Sequence, residues 1–155
     1  MKLSRLDRVI LILPVLGILD VLSTFFAAWR GYSIYLYEVG LFASYFAQKG
    51  LLHLYVFIYL GILVGVAGVL LFIKREVSTA RFLDELLLLL LVGVICIIEA
   101  HLTSVIVSNS LLGLGRFAPF GGFRWLIYLS VFITILAYTW DELKELFGFG
   151  MYDND

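Results

Sequence analysis

The chain is 155 residues long, 63% hydrophobic and only 15% charged, with a net charge of −1. Soluble domains are about half apolar and a quarter charged, so this composition suits lipid and excludes an ordinary water-soluble domain. The near-neutral charge and the lack of a long basic tract remove nucleic acid as a partner, and the single cysteine, Cys96, removes an internal disulfide framework and a Cys-x-x-Cys redox or zinc pair.

In chain order, the basic start Lys2, Arg5 and Arg8 leads into an apolar run over residues 9–29. That run contains Pro14 and Asp20 and is not followed by a small-x-small cleavage site, so it reads as a retained first span rather than a removed signal peptide. A helix needs about 20 apolar residues to cross the hydrocarbon core. Three further runs meet that length, at residues 51–73, 86–107 and 123–140. Between the first two, residues 35–48 place Leu41, Phe42, Tyr45 and Phe46 at helical spacing behind Glu38, which predicts a short helix in the outer interface. Lys74 and Arg75 close the second run, and a short polar hairpin with Ser78 and Thr79 leads through Arg81 to the third. Residues 109–122, rich in glycine and holding Pro119 and Arg116, predict an irregular connection, and the acidic tail 148–155 predicts a fraying end.

The fold class expected is therefore all-α: one polytopic membrane domain of four transmembrane helices. Lys2, Arg5, Arg8, Lys74, Arg75, Arg81 and Lys144 fall on one side, against Arg30, Lys49, Arg116 and Arg124 on the other. This excess places both termini in the cytoplasm and the chain in the cell membrane. Trp29, Trp125 and Trp140, with several tyrosines that include Tyr138, sit at the span ends, where amphipathic rings favour the headgroup zone.

Ionisable side chains inside spans are the strongest functional clue, because lipid offers them no hydrogen bonds. Asp20 and Glu99 are the two such carboxylates. On a helical period Asp20 shares a face with Gly17, Ser23, Thr24 and Ala27, and Glu99 shares one with Cys96 and Thr103. His101 is rotated by about 200° from Glu99, toward Ser104 and Ser108, so a metal triad built on that helix is poorly phased. Ser130, Thr134 and Tyr138, with Tyr59 and Tyr128, offer neutral hydroxyls to the carboxylates. Each polar residue also has a bland reading. Asp20, Glu99 and His101 then make structural hydrogen bonds, His53 is an interfacial residue, and Glu38, Arg116 and Arg124 are solvated or headgroup-contacting charges. The histidines lie at different depths and mark no haem pocket. Gly61, Gly65 and Gly68 smooth one side of the second helix for packing inside the bundle or between subunits.

The run Leu19-Asp20-Val21-Leu22-Ser23-Thr24, followed by Glu38, resembles an uncharacterised family of small archaeal and bacterial multi-pass membrane proteins. Their first hairpin carries Asp-x-x-Ser/Thr-Thr and then Glu-x-Asn-Pro. The resemblance covers the first third of the chain, and Gly40 and Leu41 stand here where Asn-Pro would fall. It implies that Asp20, Ser23, Thr24 and Glu38 form one cluster, and it names no activity. The same opening resembles lipoprotein signal peptidase, but the second catalytic Asp of that enzyme, with its Asn-containing motif, has no counterpart before the last span.

The leading expectation is a protein that binds or passes a proton or cation near the membrane midplane, with Asp20, Ser23, Thr24, Glu99, His101 and Thr103 as ligand candidates. Glu38, His53, Arg116 and Arg124 are secondary candidates. A homo-oligomer packed through Gly61 and Gly65 would supply volume for a pathway. The alternatives are an intramembrane enzyme acting on a lipid or lipid-linked substrate, and an accessory subunit of a membrane complex. The sequence names no cofactor, metal or catalytic residue. It places the polar groups in the outer half and reads the cytoplasmic half as plain apolar helix, as in residues 86–91.

Overall fold

The computed structural model describes residues 3–31, 41–76, 82–115 and 122–146. Glu38, Arg116, the 77–81 hairpin and the acidic tail lie outside them. The described residues form α1 (Arg5–Trp29), α2 (Leu41–Gln48), α3 (Leu52–Glu76), α4 (Phe82–Gly113) and α5 (Gly122–Leu146), with no strand among them. Four of these, all except α2, are long and apolar enough to cross a bilayer. The protein is an all-α polytopic membrane protein.

Local chemistry sets the helix ends. Ser4 and Asp7 form a reciprocal capping box that starts α1 four residues before the apolar run. Gly31, at φ 95°, follows its last turn. Gly50 (φ 71°) turns the chain so tightly that the Leu51 amide still bonds the Phe46 carbonyl at 2.8 Å, which joins α2 directly to α3. The helix expected over residues 35–48 is present as α2, while its first residues lie outside the described ones.

One boundary is corrected. The sequence places residues 109–113 in an irregular connection, yet α4 continues through them to Gly113 and ends at Gly115 (φ 71°). Helix continues because its polar side chains are satisfied in place: Ser108 donates to the Ser104 carbonyl at 2.8 Å, and Asn109 reaches across to α1.

Helices α1 and α4 form the central pair, α3 flanks α1, α5 packs on α4 and the edge of α1, and α2 sits on α3. Leu6, Ile10 and Leu13 of α1 and Leu88 and Ile95 of α4 are fully buried, with Leu63, Ala67, Leu70, Ile135 and Leu143 around them. Gly17 permits the close approach of α1 and α3, since a β-carbon there would run into the Leu63 side chain. By contrast, a β-carbon on Gly61, Gly65 or Gly68 would meet nothing within 4 Å. That smooth side points out of the bundle together with Phe57, Val64 and Phe72, so packing among the described residues does not use it.

The halves of the spans toward the termini are apolar helix, as residues 86–91 show, but the helix ends that flank them carry a cluster of charges that the sequence does not pair. Lys74, at the end of α3, is largely buried and bonds Asp7 of α1 at 3.0 Å, Glu142 of α5 at 2.9 Å, and the Ser4 hydroxyl. The other Glu142 oxygen accepts from the Leu6 amide at 2.9 Å, satisfying one of the open donors of the α1 first turn. Outside this cluster, Arg5 pairs with exposed Asp141 at 2.7 Å and stacks over Tyr138, to whose hydroxyl Arg8 also donates. Tyr138 is thereby committed to basic residues of α1 and not to the carboxylates in the spans. Asp7 and Glu142 lie beyond the apolar spans. Burial works against their ionisation, but the hydrogen bonds and charge of Lys74, with the Ser4 and Leu6 contacts, outweigh it and hold both carboxyls below their ordinary range.

Candidate functional site

Apart from buried Thr139, whose hydroxyl donates to the Ile135 carbonyl at 2.7 Å within α5, the polar groups that concern the spans lie away from the charged cluster around Lys74. Asp20, half-buried on α1, accepts a hydrogen bond from the Tyr59 hydroxyl of α3 at 2.7 Å. Tyr59 stacks on Tyr55 one turn away (5.9 Å between centroids, 10° between planes), Tyr55 meets Phe46 of α2 at 5.9 Å, and Phe46 meets Tyr45 edge-on at 5.8 Å. An aromatic row therefore runs from α2 along the first turns of α3 to the Asp20 carboxylate. Among the described residues no lysine or arginine pairs with Asp20.

Ser23 and Thr24 share the Asp20 face as the sequence requires, but they serve other partners. The Ser23 hydroxyl donates to the Asp20 backbone carbonyl at 2.8 Å, and Thr24 accepts from the Asn109 amide at 2.9 Å. Asn109 was missed as a site residue because the sequence places it in a loop. Its signal was the helical phase it keeps with Leu102 and Ile98. Beyond it, Arg30 donates to the Gly113 carbonyl at 3.2 Å, closing the end of α4 beneath the Phe26 ring.

Glu99 is separate from this cluster. It is only 5% exposed, on the α4 stripe with buried Cys96 and half-buried Thr103, and its Oε1 has no hydrogen-bond partner among the described residues. No hydrogen bond or charge interaction links it to Asp20. His101, pointing away as its phase requires, meets the Tyr128 hydroxyl of α5 through Nδ1 at 3.1 Å. The oxygen shell expected from Ser23, Thr24 and Thr103 around one shared ion is therefore not assembled.

Among the described residues no three His, Cys, Asp or Glu side chains converge to hold a metal ion. His53 lies exposed in the first turn of α3, and Arg124 is half-buried near the start of α5, neither of them bonded to Asp20 or Glu99. Ser130 and Thr134 are tied within α5, with the Thr134 hydroxyl on the Ser130 carbonyl at 2.7 Å. What the arrangement offers is two isolated intramembrane carboxylates, one half-buried beside aromatic rings and one enclosed.

No family model, curated protein or solved structure matches the chain. The resemblance of the first third accordingly rests on Asp20, Ser23, Thr24 and Glu38 alone, and the site is read from its own chemistry.

Proposed function

We propose that this protein binds a proton on Glu99 and passes it across the cell membrane, with both termini in the cytoplasm and Asp20 as the second carboxylate of the pathway. The observation that carries this reading is the enclosed Glu99 oxygen without a partner among the described residues. An ionised carboxylate buried without a donor costs several kcal/mol or more, whereas a protonated one is neutral and supplies its own donor. Asp20, half-buried and capped by one hydroxyl, is the group better placed to exchange protons with the far surface. Among the described residues no group of three His, Cys, Asp or Glu side chains forms around Glu99, which favours the proton over a metal cation.

The test is proton flux into liposomes that hold the purified protein and a trapped pH indicator. Glu99→Gln is expected to reduce flux at least about tenfold. Equal flux in the wild type and an Asp20→Asn, Glu99→Gln double variant would sink the proposal.

A second reading, association with another chain through the second helix, is favoured by one specific observation. Gly61, Gly65 and Gly68 form an open, outward-facing strip that would admit a second backbone closely. A copy of this chain or a larger membrane partner would each fit that strip. Chemical crosslinking in native membranes separates them by the mass of the product. The lipid-enzyme reading has less support, since Glu99 and His101 point to different neighbours and no nucleophile motif accompanies them.

A further inference from the structure

We propose that Asp20 and the aromatic row Tyr59, Tyr55 and Phe46 bind an organic cation, an ammonium or phosphonium ion with an apolar body. This rests on the reading of Asp20 as a ligand-binding carboxylate, but it does not require proton flux through Glu99.

Three observations combine. Asp20 is an intramembrane carboxylate whose side chain has a single hydrogen bond, from Tyr59, and no lysine or arginine partner among the described residues. A negative charge in that setting calls for a counter-ion. The inorganic choice is poorly served, because hard cations take six or more oxygens, and the hydroxyls of Ser23 and Thr24 are turned to a carbonyl and to Asn109. What does reach Asp20 is an aromatic side chain, Tyr59, with Tyr55 and Phe46 following it in the row. Rings attract organic cations through their quadrupole and tolerate an apolar body, and they do so most strongly away from water.

Accessibility separates the two carboxylates by ligand size. Glu99 is enclosed, while Asp20, Tyr59, Tyr55 and Phe46 are all half-buried, so a ligand larger than a proton meets Asp20 first. The row also has a direction. Phe46 and Tyr55 flank the α2–α3 turn, and Asp20 lies nine residues before the end of α1, about 14 Å down the helix at 1.5 Å per residue. A lipid headgroup anchored at the surface does not reach that depth, so the ligand is a free, membrane-soluble cation.

Equilibrium binding of tetraphenylphosphonium to the full chain in maltoside micelles provides the test, with tetraphenylborate as the anion of the same shape. The wild type is expected to bind the cation saturably and the anion not at all. Asp20→Asn should weaken binding at least about tenfold. Tyr55→Leu should weaken it by about 2- to 30-fold, matching the ~0.5–2 kcal/mol of one cation–π contact, while Tyr55→Phe retains it. Glu99→Gln, expected to reduce proton flux at least about tenfold, should bind as the wild type does, so reduced flux with intact binding separates the two proposals. Added phosphatidylcholine should not compete. Absence of saturable binding, equal binding of the borate, or unchanged affinity in both Asp20→Asn and Tyr55→Leu would overturn the assignment, and competition by phosphatidylcholine would overturn the free cation in favour of a lipid headgroup.

Discussion

The two ends of the bundle solve the same problem in opposite ways. At the terminal end, charged groups from α1, α3 and α5 are brought together until each has partners: Lys74 holds Asp7 and Glu142, and Glu142 also caps the Leu6 amide. In the far half, Glu99 keeps an oxygen with no partner among the described residues, and Asp20 has one hydroxyl. Saturated charges hold helices in place, whereas an unsaturated buried carboxylate costs stability and is best explained by a ligand. The difference makes one end structural and leaves the other as the place where the proposed exchange would occur.

Breaking the saturated end should have the largest effect. Lys74→Met leaves two carboxylates facing each other, and we expect a loss of about 3 kcal/mol, at the lower end of the range for removing one member of a buried ion cluster because these side chains keep some exposure. Reversible unfolding in mixed micelles measures it. Adding Asp7→Asn and Glu142→Gln should restore part of the loss, and strict additivity of the three changes would contradict the coupling. The same cluster sets an acid limit. Asp7 and Glu142 ionise more readily folded than unfolded, so their stabilisation is present above the ordinary carboxyl range and is lost as pH falls through the depressed folded values. Acid titration of stability should therefore be flatter in the triple variant.

Next in size is the contrast between glycines. Gly17→Val drives a side chain into Leu63 and should cost about 1–3 kcal/mol. Gly65→Val meets open space and should leave the isolated chain as stable as before, while lowering crosslinking if the strip is an interface. Asn109→Ala removes the bridge to Thr24 and should cost about 1 kcal/mol in the same unfolding assay. Smallest is Arg5→Ala at the exposed Asp141 pair, about 0.5 kcal/mol, lost in high salt.

Much of the architecture was legible in the sequence. Helix number, the α2 segment and the intramembrane carboxylates follow from run length, helical period and the cost of charge in lipid, all of which are local. The opposed directions of Glu99 and His101 also follow from phase alone, and the structure keeps them apart. What sequence could not supply were the pairings between distant residues. Lys74 reads as a topology signal, and only the packing of three helices brings it to Asp7 and Glu142, 67 and 68 residues away. Ser23 and Thr24 read as ligands for the same reason, since their face was visible but their neighbour Asn109 was not.

The central claim is that Glu99 is an enclosed proton-holding carboxyl distinct from Asp20. Difference infrared spectroscopy of the reconstituted protein at neutral pH tests it most directly. The account predicts a protonated-carboxyl band that disappears in Glu99→Gln and persists in Asp20→Asn; a wild-type spectrum with only ionised carboxylate bands, or a protonated band untouched by Glu99→Gln, would contradict it.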